Sequence, residues 1–132
     1  MKKILGVTLL CVCLAGCGSG TSSSGSLSGN WQFTAHSSAS GETFTGSAPI
    51  QQSGSSITGT VTLSGSPCAT SATLSGSISG TTVTFQLELG DQPVNFTGTA
   101  NSNLTSMSGN YTAPSGGCTN GDYGTWSATK TN

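Results

Sequence analysis

Residues 93–112, PVNFTGTANSNLTSMSGNYT, contain two copies of the short pattern that decides the fold. Each copy has an apolar residue, Ser or Thr, Gly, a polar residue and a second apolar residue. Side chains of an extended chain alternate between two faces, so the apolar ends and the central Gly share one face. The polar residues share the other face. One packed face and one solvated face are typical of an antiparallel sheet.

The same pattern recurs along the chain, with copies that begin at Leu27, Phe44, Ile57, Leu74, Phe96 and Met107. The surrounding alternation predicts eight strands, joined by short connections rich in Gly, Ser, Asn and Asp. The predicted strands cover residues 30–36, 42–52, 56–64, 72–78, 82–89, 93–100, 105–112 and 123–130. No segment between them fits a helix.

Eight consecutive strands with one apolar face predict an all-β fold, namely an eight-stranded antiparallel up-and-down β-barrel. Closure of a barrel removes the exposed edges that an open sheet must protect. Glycine on the inner face indicates close backbone approach and tight curvature. A β-sandwich remains the alternative at this point.

Large side chains on the inward phase are predicted to form the barrel interior. An eight-stranded barrel is either just filled by side chains or holds one small ligand. We expect both tryptophans to lie in the half of the barrel nearer the N-terminal segment, as a plug. The predicted interior residues are Trp31, Phe33, Phe44, Val83, Phe85, Phe96, Tyr111 and Trp126.

Two Gly-x-Trp motifs, Gly29-Asn30-Trp31 and Gly124-Thr125-Trp126, carry a resemblance to a known group of barrels. The first motif resembles the opening of lipocalins and other calycin barrels, and also of avidin-like barrels. The resemblance covers about residues 29–130 and implies a lipocalin-like shape. Lipocalins place an arginine from the last strand over the first tryptophan, and Lys130 is the nearest counterpart here.

The N-terminus has the form of an export signal. Lys2 and Lys3 precede an apolar run, Ile4 to Leu14, that is far shorter than the roughly 20 residues of a spanning helix. Such a run behind basic residues is typical of a cleaved leader. Leu14-Ala15-Gly16-Cys17 resembles the bacterial lipoprotein signal, in which the cysteine takes a diacylglycerol and, after cleavage, an acyl chain such as palmitate on its new amine.

This resemblance implies a signal peptide over 1–16 and a lipidated Cys17. Composition adds a flexible Gly/Ser tether, which with Cys17 covers 17–28, and the strand pattern predicts a barrel domain over 29–132. The resemblance also implies a membrane partner through the lipid and a location in the bacterial cell envelope. Gly18 stands where an Asp favours retention in the inner membrane, so the outer membrane is favoured if the source is Gram-negative.

Each of the five cysteines can be assigned a role. Cys11 and Cys13 lie in the leader, and Cys17 takes the lipid. Cys68 and Cys118 remain as a pair in an oxidising compartment, where a disulfide is the default. In an eight-strand meander, Cys68 lies in the connection between strands 3 and 4 and Cys118 in that between strands 7 and 8. Both connections are at the same end of the barrel, as a bond requires.

The charged and potentially catalytic side chains of the sequence predict a protein that is not an enzyme and needs no metal or cofactor. After the leader, Lys130 is the only lysine, the chain has no arginine, and nucleic acid is disfavoured. His36 falls on the polar phase, and the serines lack a Gly-x-Ser-x-Gly motif. The carboxylates lie at strand ends or in loops and are interpreted as solvating charge; they are Glu42, Glu88, Asp91 and Asp122.

Two classes of function stay open. In the first, a monomeric barrel binds a small apolar or amphipathic ligand near the cell surface. The longer connections, which contain the cysteines, would form the mouth at the end away from the membrane. In the second, a filled barrel is a structural lipoprotein, or one that interacts with another component of the envelope.

Overall fold

The protein is a closed barrel in a computed structural model that describes residues 25–90 and 92–131. Each strand pairs antiparallel with the next in sequence, and the last pairs with the first. The predicted up-and-down barrel is confirmed, and pairing of the first and last strands excludes the sandwich. The strands are β1 Gly29–Ser37, β2 Thr43–Ser53, β3 Ser56–Ser64, β4 Ser71–Ser79, β5 Thr82–Leu89, β6 Gln92–Ala100, β7 Ser106–Thr112 and β8 Tyr123–Lys130.

The inward glycines let neighbouring strands approach more closely than any side chain would allow. Gly76 pairs with Phe85, and a Cβ placed on Gly76 would overlap the backbone of β5. Gly98 and Gly109 face each other across β6 and β7, and a Cβ on either would overlap the opposite strand. Only glycine fits at such approaches, which explains why the repeat keeps Gly between its two apolar residues.

The middle of the barrel is filled by five aromatic rings. Phe85 stacks on Phe96 with ring centroids 4.8 Å apart, and Phe96 stacks on Tyr111 at 5.3 Å. Trp126 meets Phe85 edge-on at 5.1 Å, and Phe33 meets Phe85 in the same way at 6.1 Å. Pairs of this kind stabilise a core by about 0.5–1.5 kcal/mol each beyond the area they bury.

One end of the barrel, which carries the N-terminal segment, is closed by apolar packing; we call it the tether end. Leu27 is fully buried there, and Trp31 Nε1 donates to the Leu27 carbonyl at 2.7 Å. Lys130 Nζ lies 5.6 Å from the centroid of the Trp31 ring and donates to the carbonyl of Ser26. Lys130 therefore lies over the first tryptophan, as the lipocalin resemblance implies.

Part of the segment expected to be a flexible tether belongs to the folded barrel. The Leu27 amide donates to Gln52 Oε1 at 2.8 Å, and the Gln52 amide donates to Ser28 Oγ at 2.9 Å. Buried Leu27 holds this stretch in place, so the folded domain begins before residue 29. The predicted signal peptide, Cys17 and the rest of the predicted tether lie outside the described residues. Within the described part of the chain, no helix is long and apolar enough to span a membrane.

Candidate ligand cavity at the mouth

A cavity of about 270 Å³ opens at the end opposite the tether end, between the connections β1–β2, β3–β4 and β7–β8. We call this end the mouth. Sites for drug-sized ligands occupy roughly 300–1,000 Å³, so this cavity suits a smaller molecule. Its apolar wall includes Ala35, Phe44, Leu89, Val94, Phe96, Tyr111 and Ala113, and its polar lining includes Ser40, Glu42, Thr119, Asn120 and Asp122.

A disulfide joins two connections of the mouth. Cys68 in β3–β4 is bonded to Cys118 in β7–β8, with Cα atoms 5.7 Å apart, which confirms the predicted pair. Both cysteines line the cavity. The bond therefore ties the rim across the opening and limits how far these connections can separate.

The long β7–β8 connection is organised by its own hydrogen bonds. The Ala113 amide donates to the Asp122 carbonyl at 2.7 Å, and the Gly121 amide donates to the Pro114 carbonyl at 2.8 Å. The Gly116 amide donates to Asn120 Oδ1 at 2.9 Å. These hydrogen bonds within the connection fix the shape of this part of the rim, and ordered walls reduce the ordering cost of binding.

Asp122 presents a carboxylate that is fixed in the cavity wall. Ser37, which is fully buried, donates its hydroxyl to Oδ1 at 2.5 Å, and the Tyr123 amide donates to the same oxygen at 2.9 Å. Tyr111 donates its hydroxyl to Oδ2 at 3.0 Å. Burial raises the pKa of Tyr111, and the hydrogen bond to the Asp122 carboxylate and its charge raise it further. The Tyr111 hydroxyl therefore stays protonated at physiological pH and donates its hydrogen bond to Asp122.

The sequence interpretation of Asp122 as a solvating charge was wrong. The side chain is only partly exposed, and the barrel brings it to Ser37, which is 85 positions away in sequence. No local motif connects these two residues, and only the closure of β1 against β8 places them together. The other described carboxylates, Glu42 and Glu88, are exposed as expected.

The predicted interior residues divide between the core and the cavity wall. Phe44 is the only one of them that is not buried; it is half-buried at the rim, where β2 begins, and it lines the cavity with Phe96 and Tyr111. Phe96 and Tyr111 are themselves buried, as are the remaining predicted interior residues, Trp31, Phe33, Val83, Phe85 and Trp126.

The two tryptophans lie at different levels of the barrel. Trp31 pairs with Lys130 at the tether end, as expected of a plug. Trp126 pairs with Ala35, a cavity residue, and packs against Phe96 at 5.9 Å. Trp126 is four residues from Lys130, the partner of Trp31, which is about 13 Å along β8. The expectation that both tryptophans share the tether half was therefore wrong.

Charge is distributed unevenly between the two ends. Glu42 and Asp122 line the cavity, whereas Lys130 lies at the tether end. His36 is exposed on the outer face, with Nδ1 3.2 Å from Thr43 Oγ1. Among the residues that the structure describes, no group of three or more His, Cys, Asp or Glu could hold a metal ion.

The arrangement is an apolar cavity with a positioned carboxylate in its wall. No protein-family model matches the chain, and no curated protein is similar to it in sequence.

Proposed function

We propose that this protein is a lipid-anchored lipoprotein of the bacterial envelope that is not an enzyme and binds one small apolar or amphipathic ligand in the mouth cavity. The observation that carries the proposal is the contrast between the two ends of the barrel. One end is sealed by Leu27 and Trp31, and the other opens into a cavity with mainly apolar walls. Apolar cavities at barrel mouths with a few polar groups are common ligand sites.

The proposed anchor and the cavity lie at opposite ends. Leu27 is fixed at the tether end, and only the nine residues 18–26 separate it from Cys17. Even when fully extended, nine residues reach at most roughly 30–32 Å. A lipid on Cys17 would hold the tether end close to the membrane, so the mouth would face away from it. In a Gram-negative source, Gly18 after the lipidated cysteine supports the outer membrane.

Substitution of adjacent residues on β1 tests the site. Ala35 lines the cavity, and Ala35→Leu fills part of it, whereas Thr34 is exposed on the outer face and Thr34→Leu leaves the cavity unchanged. Native mass spectrometry of the protein purified from its own host should show a bound small molecule in the wild type and in Thr34→Leu, and none in Ala35→Leu.

Thermal unfolding of both variants checks that they are folded. A ligand retained equally by both variants would place the site elsewhere. A wild-type spectrum with no bound mass would favour the alternative, an envelope lipoprotein that acts through protein contacts.

A further inference from the structure

We propose that the ligand of the mouth cavity is a small organic cation, an amine or quaternary ammonium compound with an apolar body, and that Asp122 recognises its charge. The inference rests on the proposed binding function and specifies the chemical class of its ligand. It is carried by a cavity that combines a fixed carboxylate with aromatic walls, and none of the described residues that line it is a lysine or arginine.

The Asp122 carboxylate has room for a further donor. Each carboxylate oxygen can accept two hydrogen bonds. Oδ1 already accepts two, from Ser37 and Tyr123, whereas Oδ2 accepts one from a described residue, Tyr111. Oδ2 therefore has the capacity to accept a further hydrogen bond from an ammonium group in the cavity.

Among the described residues, neither Lys130 nor His36 forms an ion pair with Asp122. Lys130 is the only lysine after residue 3, and it is held at the tether end by Ser26 and the Trp31 ring. His36 is turned to the outer face beside Thr43. The Ser37, Tyr123 and Tyr111 groups that donate to Asp122 are all neutral, so its negative charge stays available to a cationic ligand.

The cavity walls favour the same ligand class. The rings of Phe44, Phe96 and Tyr111 line the cavity that Asp122 lines. Aromatic faces carry partial negative charge and attract ammonium groups within about 6 Å of the ring centroid. An anionic ligand, such as a fatty acid, would instead meet the carboxylates of Asp122 and Glu42 with no cation to offset them.

Three probes that share a phenylethyl body and differ in charge test the inference: phenethylamine, which is protonated at neutral pH, phenethyl alcohol and hydrocinnamate. Their binding to the full-length protein in non-ionic detergent is measured by calorimetry at low ionic strength, with empty micelles as the blank. A charge-assisted hydrogen bond predicts that the amine binds about tenfold more tightly than the alcohol, and more tightly still than the anion.

Asp122→Asn is the main variant, because it keeps the side-chain shape and one acceptor oxygen. It should lower the affinity for the amine by about tenfold and leave that for the alcohol within about twofold. Glu88→Gln is the matched control; Glu88 is exposed on β5 and is not among the residues that line the cavity, so its substitution should change amine binding by no more than about twofold.

The outcomes separate this inference from the proposed function. Wild-type protein that binds the alcohol or the anion as tightly as the amine would overturn the cation class and leave the ligand cavity standing. Loss of alcohol binding in Asp122→Asn would show that the carboxylate only supports the wall. Failure of all three probes to bind would contradict both proposals.

Discussion

Single glycines set how closely the strands of this barrel can approach. Gly76 lies between Leu74 and Ile78 on the inner face of β4, directly opposite Phe85 on β5. Any side chain at position 76 would overlap the backbone and Cβ of Phe85. The sequence repeat predicted such close approaches without identifying the atoms involved.

Gly76→Ala should therefore lower the free energy of unfolding by about 2 kcal/mol or more, because even one methyl group overpacks this contact. Ser75→Ala is the control, since Ser75 is exposed on the outer face and its replacement should change stability by less than about 0.5 kcal/mol. Chemical denaturation of both variants gives the two values. Equal stability of the two variants would contradict the packing argument.

At the scale of elements, the strands were predictable and the connections were less so. Alternation with a period of two residues placed every strand within one residue of its observed bounds, because burial on one face enforces that pattern. The conformation of the β7–β8 connection depends on hydrogen bonds within the loop and on contacts between distant residues. For that reason the Ser37–Asp122–Tyr111 contacts left no local signal in the sequence.

The disulfide links the β3–β4 and β7–β8 connections. Cys68→Ser combined with Cys118→Ser should lower the free energy of unfolding by about 2–4 kcal/mol, since the bond closes a long loop in the unfolded chain. The barrel should remain folded, because both cysteines lie in connections outside the strands. Urea denaturation monitored by circular dichroism measures the loss, and free thiols in the oxidised wild type would contradict the pairing.

At the scale of the whole molecule, the cavity and its wall required the folded barrel. The alternation of apolar and polar residues predicted that Phe44, Phe96 and Tyr111 face the interior. It could not distinguish the filled middle of the barrel from its open mouth. That separation follows from the register between strands, which also places Trp126 nearer the mouth than Trp31. Leu27 was assigned to a tether because a Ser- and Gly-rich context masks a single buried leucine.

The proposed anchor belongs to this scale as well, because it would orient the whole barrel on the membrane. Cys17→Ser should abolish incorporation of a labelled fatty-acid analogue and release the protein from the membrane fraction. Each buried CH₂ group contributes roughly 0.8 kcal/mol, so loss of several acyl chains removes the anchor. Cys13→Ser, which changes a cysteine of the predicted leader, should leave labelling intact. An unlabelled wild type would contradict the lipoprotein proposal.

A ligand should enter the barrel at the mouth and not at the sealed end. Titration of the ¹⁵N-labelled full-length protein with phenethylamine, followed by NMR, distinguishes the two ends. The amide signals of Phe44, Phe96, Tyr111 and Asp122 should shift, whereas those of Leu27, Trp31 and Lys130 should not. Shifts confined to the tether end, or spread evenly over the barrel, would contradict entry at the mouth.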